Sequence, residues 1–348
     1  TFSSESGQLL QFLHEGRTID FREHDSTHLS EDQIKDLLIE HANKPFDLEK
    51  GPVIRLELFR TKDDAHVALL CMHHIVSDAW SVVLLMNDLI ESYFSIESGG
   101  EPQFEELDYR YSDYVQWQNR LLESADISKT LEYWTEALRD VPMVLDLPTD
   151  HARPVVQTFN GSTHGFKLSR ELTKKVEALA SDNNVTLYIT LLSAFQILLH
   201  RYSNQDDIIV GSPLAGRHHQ EFHDLVGYFI NPVALRSRVE DDPVFTDYLQ
   251  HVSKTFFGAF ENQEFPMQKL VEHLKVKRDS SRSPIFQVVF SMEKVPGIDE
   301  QGIAVFLIGQ GGHEFGVGDL SVKSIDLNLR QAQFEITLVV EEAGGNIY

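Results

Sequence analysis

Two adjacent histidines and an aspartate interrupt the apolar run LLCMHHIVSDAWSVVLL at residues 69–85. Histidine and aspartate are costly to bury without partners, so their presence in this run indicates a specific role. Neighbouring side chains on a strand point to opposite faces, which predicts that His73 and His74 cannot serve one site equally. One ring is expected to face the core or the far side of the sheet, and the other to stand at the strand end.

A histidine held at a strand end in a fixed tautomer is suited to accept a proton near neutral pH. Asp78 lies where the strand pattern changes to a helical one, so it is expected to cap that helix or to pair with an arginine and brace the turn. The opposite facing of the rings argues against a metal site on the doublet. The alternative is that both histidines are satisfied core residues and Asp78 is an ordinary N-cap.

A second group of histidines lies at His218, His219 and His223. His219 and His223 have the i, i+4 spacing that can bind zinc on a helix, but no HExxH pattern accompanies them, so a solvated face is favoured and no metal is predicted. No GxSxG sequence is present and Cys71 lies inside an apolar strand, so no covalent nucleophile is indicated.

The flanking pattern predicts the elements that position these residues. Residues 53–60 alternate like a half-buried strand, 65–73 read as a central strand, and 78–94 have helical spacing. Ser30 and Gln33 form a capping-box pair that begins an earlier amphipathic helix. Later segments are predicted as helices and strands, namely helices at 111–138, 169–184 and 186–202 and strands at 206–210, 231–239, 283–293 and 333–343.

Length and composition predict two α/β lobes. The chain has 348 residues, and its best linker, LDLPTDHARPVV, suggests lobes at 1–150 and 151–348. The formal net charge of −24 is unsuited to nucleic acid or anionic membranes. One cysteine, no signal-like start and no apolar run of about 18 residues favour a cytoplasmic protein that does not span a membrane.

The stretch HHIVSDAWS resembles the HHxxxDxxS motif of condensation domains from nonribosomal peptide synthetases. Further segments resemble other motifs of this family in its order, and the likeness covers essentially the whole chain: NKPFDLEKGPVIRLELF (43–59), YSDYVQWQ (111–118), LPTDHARP (147–154), VGYFINPVALR (226–236), NQEFPMQKLVE (262–272) and RDSSRSPIFQVVFS (278–291).

The resemblance implies an α/β fold like that of chloramphenicol acetyltransferase, a V-shaped pseudo-dimer of two mixed sheet-and-helix lobes with the active site in a tunnel between them. It implies an acyltransferase that forms an amide bond between an acyl or peptidyl thioester donor and an aminoacyl acceptor. Both substrates would arrive on the 4'-phosphopantetheine of upstream donor and downstream acceptor carrier domains, next to an adenylation domain. The domain itself would bind no cofactor.

The resemblance also implies residue roles. His74, the second histidine of the motif, would face the tunnel as base or amine-positioning group, with His73 beside it and Asp78 as a structural brace. The arginine partner of Asp78 would be Arg217, Arg236 or an arginine before the first residue, with solvated surface as the alternative for both arginines. Other supporting or tunnel residues would be Ala79, Trp80, Ser81, Asn231, Ser283 and Gln287.

The chain departs from the family pattern at several places. Ala79 replaces the usual glycine, Pro232 replaces the usual threonine after the asparagine, and QFEITL replaces FDLTL. Both ends also resemble cut ends, so a fragment of the domain is expected. Two rivals remain: an epimerization domain of the same fold, whose extra motif is not apparent, and a non-catalytic module that recruits a partner enzyme. Heterocyclization domains replace the histidines with aspartate and are disfavoured.

Overall fold

The computed structural model describes residues 1–6, 8–14, 16, 18–293, 314–343 and 345–348. The chain divides into two compact units. The first comprises Thr1–Glu106, Asp224–Tyr228 and Ile325–Leu329, and the second comprises Leu107–His223, Phe229–Ser324 and Arg330–Tyr348. These bounds group residues 107–150 with the second unit, and the lobe boundary at residue 150 remains a prediction.

The first unit is built around a three-stranded sheet in the order β3-β4-β5. Strand β4 pairs parallel with β3 and antiparallel with β5, whose last residue is Met72. The unit's elements are β1 (Phe2–Glu5), β2 (Gln8–Gln11), β3 (Asp20–Asp25), α1 (Glu31–Ala42), β4 (Ile54–Lys62), β5 (Ala65–Met72) and α2 (Ala79–Glu97).

Helix α1 begins where its sequence predicts. The Ser30 hydroxyl accepts the N–H of Gln33, and the Gln33 side chain accepts the N–H of Ser30, so the predicted capping box is confirmed. Buried apolar residues on α1, β4 and β5 then form a small core: Ile34, Leu38, Phe59 and Leu69. This core holds β4 and β5, and hence the end of β5, against the helix.

The second unit contains a five-stranded mixed sheet in the order β12-β11-β8-β6-β7. Pairing is antiparallel at β12-β11 and β6-β7 and parallel at β11-β8 and β8-β6. Its elements are α3 (Tyr111–Glu123), α4 (Ile127–Ala137), α5 (Arg170–Asp182), α6 (Leu187–Ser203), β6 (Asp207–Leu214), β7 (Asn231–Arg238), α7 (Phe245–Glu261), α8 (Met267–His273), β8 (Val288–Glu293), β9 (Glu314–Val317), β10 (Leu320–Lys323), β11 (Ile336–Ala343) and β12 (Asn346–Ile347).

The larger hydrophobic core lies in this second unit. The nearly all-apolar helix α6, which was predicted at residues 186–202, contributes Ile189, Leu192, Phe195 and Leu199 to it. Tyr114 of α3 is also buried, in contact with other aromatic rings. Among the described residues, no helix is both long enough and apolar enough to cross a bilayer.

Candidate functional site

The histidine doublet lies beyond strand β5 rather than on it. The strand ends at Met72, His73 is extended, and His74 begins a 3-10 turn, His74–Val76. Strand alternation therefore does not apply to the pair, and the prediction that the two rings face opposite sides of a sheet is wrong in its reasoning. Hydrogen bonds within and beside the 3-10 turn instead determine where each ring points.

His73 caps this short turn. Its Nδ1 accepts the N–H of Ile75 at 3.1 Å, and its ring contacts Phe46 edge-on with centroids 6.3 Å apart. The residue is half-buried. Its contribution is a backbone cap, which is structural.

His74 has a defined tautomer. Its Nδ1 lies 2.6 Å from the carbonyl oxygen of Ser77, and because a carbonyl only accepts, Nδ1 carries the hydrogen. In the neutral ring Nε2 then keeps its lone pair, and no described residue donates a hydrogen bond to it. The residue is exposed, and because Nδ1 is engaged, Nε2 is the ring nitrogen that can take a proton from an incoming group.

Asp78 is the N-cap of α2, as predicted. Its extended backbone places Oδ1 2.7 Å from both the N–H and the hydroxyl of Ser81. Both side chains are essentially buried, with Asp78 3% and Ser81 0% exposed. The carboxylate thereby satisfies helix-start donors that would otherwise be unpaired.

Ala79 and Trp80 form the first turn of α2, and both are half-buried. Ala79 does not have a positive φ, so this position does not require glycine. Alanine instead favours the helix that Asp78 begins.

A segment distant in sequence joins this turn, and sequence reasoning gave its residues no role. Ser81 is 146 positions from Gly227, yet its Oγ accepts the Gly227 N–H at 3.0 Å and lies 2.9 Å from the Gly227 carbonyl oxygen. The next residue, Tyr228, packs edge-to-face against the His74 ring, with centroids 5.2 Å apart. The only available signal was the motif-like stretch VGYFINPVALR, which marks the segment but not its contacts.

Tyr228 is half-buried beside the two motif residues. Burial and, to a lesser degree, the negative charge of Asp78 raise the pKa of its hydroxyl above the ordinary value. The tyrosine is therefore neutral at physiological pH and serves as a hydrogen-bonding and aromatic group rather than as an anion.

Arg217 is buried in the second unit. Its Nη1 donates to the carbonyl oxygens of Phe222 and His223, and its guanidinium lies 3.9 Å from the ring centroid of Phe229. It is 6% exposed, so the solvated-surface alternative is wrong for this arginine. The preceding residue, Gly216, has φ +65° and brings the backbone close to Phe229, which orients the arginine.

Arg236 forms a different set of hydrogen bonds in the second unit. Its Nε and Nη2 form a bidentate pair with Asp207 at 2.9 and 2.6 Å, and its Nη1 donates to the carbonyl oxygens of Ala137 and Arg139 at the end of α4. This hydrogen-bonded pairing raises the pKa of the guanidinium. All three side-chain nitrogens of Arg236 are therefore engaged within the second unit. The pairing of Asp78 with an arginine stays a prediction.

Asn231 and Gln287 are supports in the second unit. The Asn231 amide donates to the carbonyl oxygens of Gln263 and Phe265 and accepts the N–H of Met267, which holds the start of α8. Gln287 accepts the Leu145 N–H and donates to the carbonyl oxygens of Met143 and Ser283. Gln287 is 1% exposed, so its amide serves the backbone; Ser283 is half-buried and contributes that carbonyl.

The second histidine group does not form a helical chelating pair. A 3-10 turn, Gln220–Phe222, separates His219 from His223. His219 lies against Trp117 with centroids 4.7 Å apart, and His223 Nε2 donates to the Arg217 carbonyl oxygen. Both rings are half-buried, so the predicted solvated face is wrong for them.

One group of described residues has the ligand types and closeness of a metal site: His24, His41 and Glu57. Both histidines reach the same oxygen, Glu57 Oε2, at 2.7 and 2.6 Å, and Arg55 Nε lies 3.2 Å from Oε1. The carboxylate oxygen itself is at the centre, with a guanidinium beside it. We therefore interpret the group as a hydrogen-bonded buried carboxylate, not as a cation cradle.

The matches to known families and proteins extend over the whole chain. The family model for the condensation domain matches residues 1–348. Gramicidin S synthase 2 of Brevibacillus brevis is 34% identical over 98% of the chain, and bacitracin synthase 2 of Bacillus licheniformis is 33% identical over 100%. The chain spans only 7% and 12% of the length of these two relatives.

Solved structures show the same fold. A four-domain nonribosomal peptide synthetase bound to AMP and glycine superposes with a TM-score of 0.87 at 25% identity, covering 100% of this chain and 26% of that one. The X-domain from teicoplanin biosynthesis gives 0.86 at 20% identity, covering 98% and 74%. These matches confirm the predicted α/β fold class, which is like that of chloramphenicol acetyltransferase. The chain belongs to the condensation domain family of nonribosomal peptide synthetases.

Proposed function

We propose that the chain forms an amide bond between a carrier-bound acyl or peptidyl thioester and the amine of a carrier-bound aminoacyl group. The observation that carries this proposal is the tautomer of His74. Its Nδ1–H is held by the Ser77 carbonyl at 2.6 Å, which leaves Nε2 of this exposed residue as the proton acceptor.

The reaction needs few groups from the protein. The amine nitrogen attacks the thioester carbonyl, and the C–N bond forms while the amine proton transfers to His74 Nε2. The C–S bond then breaks, and the protonated imidazole returns that proton to the leaving thiolate, which leaves as a thiol. No covalent nucleophile is required. Cys71 fits this scheme, because burial raises the pKa of its thiol and the residue lies within β5.

Carrier and adenylation domains are the proposed partners. The relatives are synthases of which this chain covers a small fraction, and the family implies substrates attached to 4'-phosphopantetheine arms. The proposed partners are therefore an upstream donor carrier, a downstream acceptor carrier and an adjacent adenylation domain. The donor and acceptor are proposed by chemical class only.

The two rival functions predict different products. An epimerization domain would exchange the α-hydrogen of a carrier-bound residue without forming an amide. A recruitment module would form neither product; one similar structure is a complex of the X-domain and OxyB from teicoplanin biosynthesis, and its 20% identity is evidence about fold only. The Nε2 acceptor of His74 favours proton transfer, which both enzymes but not a recruitment module would use.

The test is dipeptidyl-carrier formation in the full-length protein, with donor and acceptor each loaded on a carrier and the product read by intact mass. His74→Ala is expected to lower the rate about 10²–10⁴-fold if Nε2 is a general base, with thermal stability near that of the parent. If Nε2 only positions the amine, the loss should be smaller and should vary with the amine's own pKa.

Two control variants separate function from structure. His28→Ala removes an exposed histidine of the same unit and should change neither rate nor stability. His73→Ala removes the cap on the Ile75 N–H and should lower stability by about 0.5–2 kcal/mol. Product formation by His74→Ala at the parent rate would disprove the assignment, and α-deuterium incorporation without amide would identify an epimerase.

A further inference from the structure

Within the described part of the chain, one hydrogen bond holds the imidazole of His74. That bond joins Nδ1 to the Ser77 carbonyl and fixes which nitrogen carries the hydrogen. One point of attachment still permits the ring to rock about the Nδ1···O direction. A second contact is needed to fix the plane of the ring, and with it the direction in which the Nε2 lone pair points.

Tyr228 supplies that second contact. Its ring meets the imidazole at 83° with centroids 5.2 Å apart, an edge-to-face arrangement that aromatic rings prefer. Any rocking of the imidazole would break this packing. The imidazole is thus held at its Nδ1 edge by a hydrogen bond and across its ring by an aromatic neighbour.

The position of Tyr228 depends in turn on Ser81. The segment Asp224–Tyr228 belongs to the first unit although the chain around it lies in the second. Its Gly227 N–H donates to Ser81 Oγ at 3.0 Å, while the Ser81 hydroxyl hydrogen is within reach of Asp78 Oδ1 at 2.7 Å. A hydroxyl has one hydrogen, and the carboxylate is the stronger acceptor, so Ser81 links Gly227 to the N-cap of α2.

We propose that Tyr228, held in place by the Ser81 bridge between Asp78 and Gly227, is a positioning residue that sets the orientation of the His74 imidazole. This inference rests on the proposed function, in which His74 Nε2 takes up the amine proton. It assigns to Asp78 and Ser81 a second task beyond beginning α2. Tyr228 acts through His74 and needs no contact of its own with the reacting atoms.

The test compares Tyr228→Leu with Tyr228→Phe in the full-length protein. Tyr228→Leu removes the aromatic packing and is expected to lower kcat about 10–100-fold, because small displacements of a reacting group are costly, while KM for the loaded acceptor carrier stays unchanged. Tyr228→Phe keeps the ring and should restore most of that loss. Tyr202→Leu, at a tyrosine that is 64% exposed on α6, is the matched control.

A second readout does not depend on turnover. Exchange of the His74 Cε1 hydrogen for deuterium, followed by peptide mass spectrometry, reports the surroundings of the ring. Tyr228→Leu should speed exchange at His74 but not at His28, and Ser81→Ala should do the same. If the parent protein forms no amide, the proposed function fails, yet this measurement still decides whether Tyr228 holds the ring.

Two results would overturn the proposal. One is an unchanged kcat and unchanged His74 exchange in Tyr228→Leu. The other is a Tyr228→Phe variant as impaired as Tyr228→Leu, which would place the function in the hydroxyl instead of the ring. If Ser81→Ala fails to fold, the Tyr228 pair still decides the question, because Tyr228 is half-buried and less embedded than the fully buried serine.

Discussion

At the scale of single residues, His74 and Asp78 lie only four positions apart but differ in what their side chains can do. His74 carries an available ring nitrogen, whereas Asp78 Oδ1 is occupied by the N–H and hydroxyl of Ser81. A carboxylate that is 3% exposed and committed to helix-start donors is a structural group. We therefore expect the carboxylate of this motif to act on the fold first, and on the proposed reaction only through the turn that it holds.

Asp78→Ala should accordingly harm folding. Losing the N-cap alone is expected to lower the free energy of unfolding by about 0.5–2 kcal/mol, and the Ser81 hydroxyl also loses its acceptor. Asp78→Asn keeps an oxygen that can accept and should lose less. Urea unfolding of the parent and both variants measures this. Unchanged stability of Asp78→Ala with lost product formation would show instead that Asp78 acts directly.

At the scale of elements, local patterns predicted part of the helices and strands. Residues 111–138 form two helices instead of one, α7 and α8 were not predicted, and β5 lies at the edge of its sheet instead of at its centre. The capping box at Ser30 and Gln33 and the Asp78 cap were found where expected, because caps depend on residues only three positions apart. The directions of the His73 and His74 rings were not predicted correctly, because they depend on β5 ending at Met72, one residue before His73. Element ends are decided by such single-residue differences, which periodicity does not resolve.

The contacts that sequence reasoning missed are those between distant segments. Nothing local in the residues around Tyr228 indicates that the ring meets His74, or that Gly227 bonds to a serine 146 positions earlier. Likewise, the sequence did not indicate that Arg236 forms a bidentate pair with Asp207. Side-chain type predicts what an arginine can bind, but only the tertiary fold selects which carboxylate it meets.

The loop after β6 offers an element-scale prediction about glycine. Gly216 has φ +65°, and a Cβ there would lie 2.0 Å from the Phe229 carbonyl oxygen, whereas Gly99 has φ +80° with nothing within 4 Å. Gly99→Ala should cost about 1–3 kcal/mol from backbone strain alone. Gly216→Ala adds a backbone clash, so its thermal midpoint should fall further. Equal midpoints would show that the loop relaxes freely.

At the scale of the whole molecule, a buried cluster around one carboxylate connects three elements of the first unit. Glu57 of β4 is 0% exposed and meets His24 of β3 and His41 of α1, with Arg55 alongside. Burial opposes ionisation of Glu57, but the hydrogen bonds from His41 and His24 outweigh it and lower its pKa. Three elements are thereby connected through one carboxylate, which no local pattern would predict.

This cluster predicts how stability depends on pH. A carboxyl whose pKa is lower in the folded state stabilises it above the unfolded pKa, and that contribution is lost as pH falls through the folded pKa. Glu57→Gln should cost about 3–5 kcal/mol at pH 7, since Arg55 loses its buried counter-charge, and should flatten the acid side of the stability curve. Urea unfolding across pH, with the exposed Glu40→Gln as control, measures this. A Glu57→Gln curve parallel to that of the parent would contradict it.

Net charge governs how the molecule meets its proposed carrier partners. With a formal charge of −24, it repels an acidic carrier at distances beyond contact, and about 0.15 M salt screens such forces over roughly 8 Å. Cations are nevertheless concentrated in one stretch of the second unit, between Lys269 and Arg282, where they outnumber acidic residues. Close contact through a local patch of this kind can be favourable even where the long-range field is not.

Carrier binding should therefore change little, or improve, as salt is added. Screening removes the long-range repulsion, so the association rate constant should rise between about 0.05 and 0.3 M salt, while the dissociation rate constant, set by contacts already formed, changes less. Stopped-flow mixing of the full-length protein with a fluorescently labelled carrier separates the two constants. The same titration with a carrier made less acidic should show a weaker rise. A steep fall in the association rate constant with added salt would contradict this prediction, because it would mean that opposite charges attract the partners from a distance.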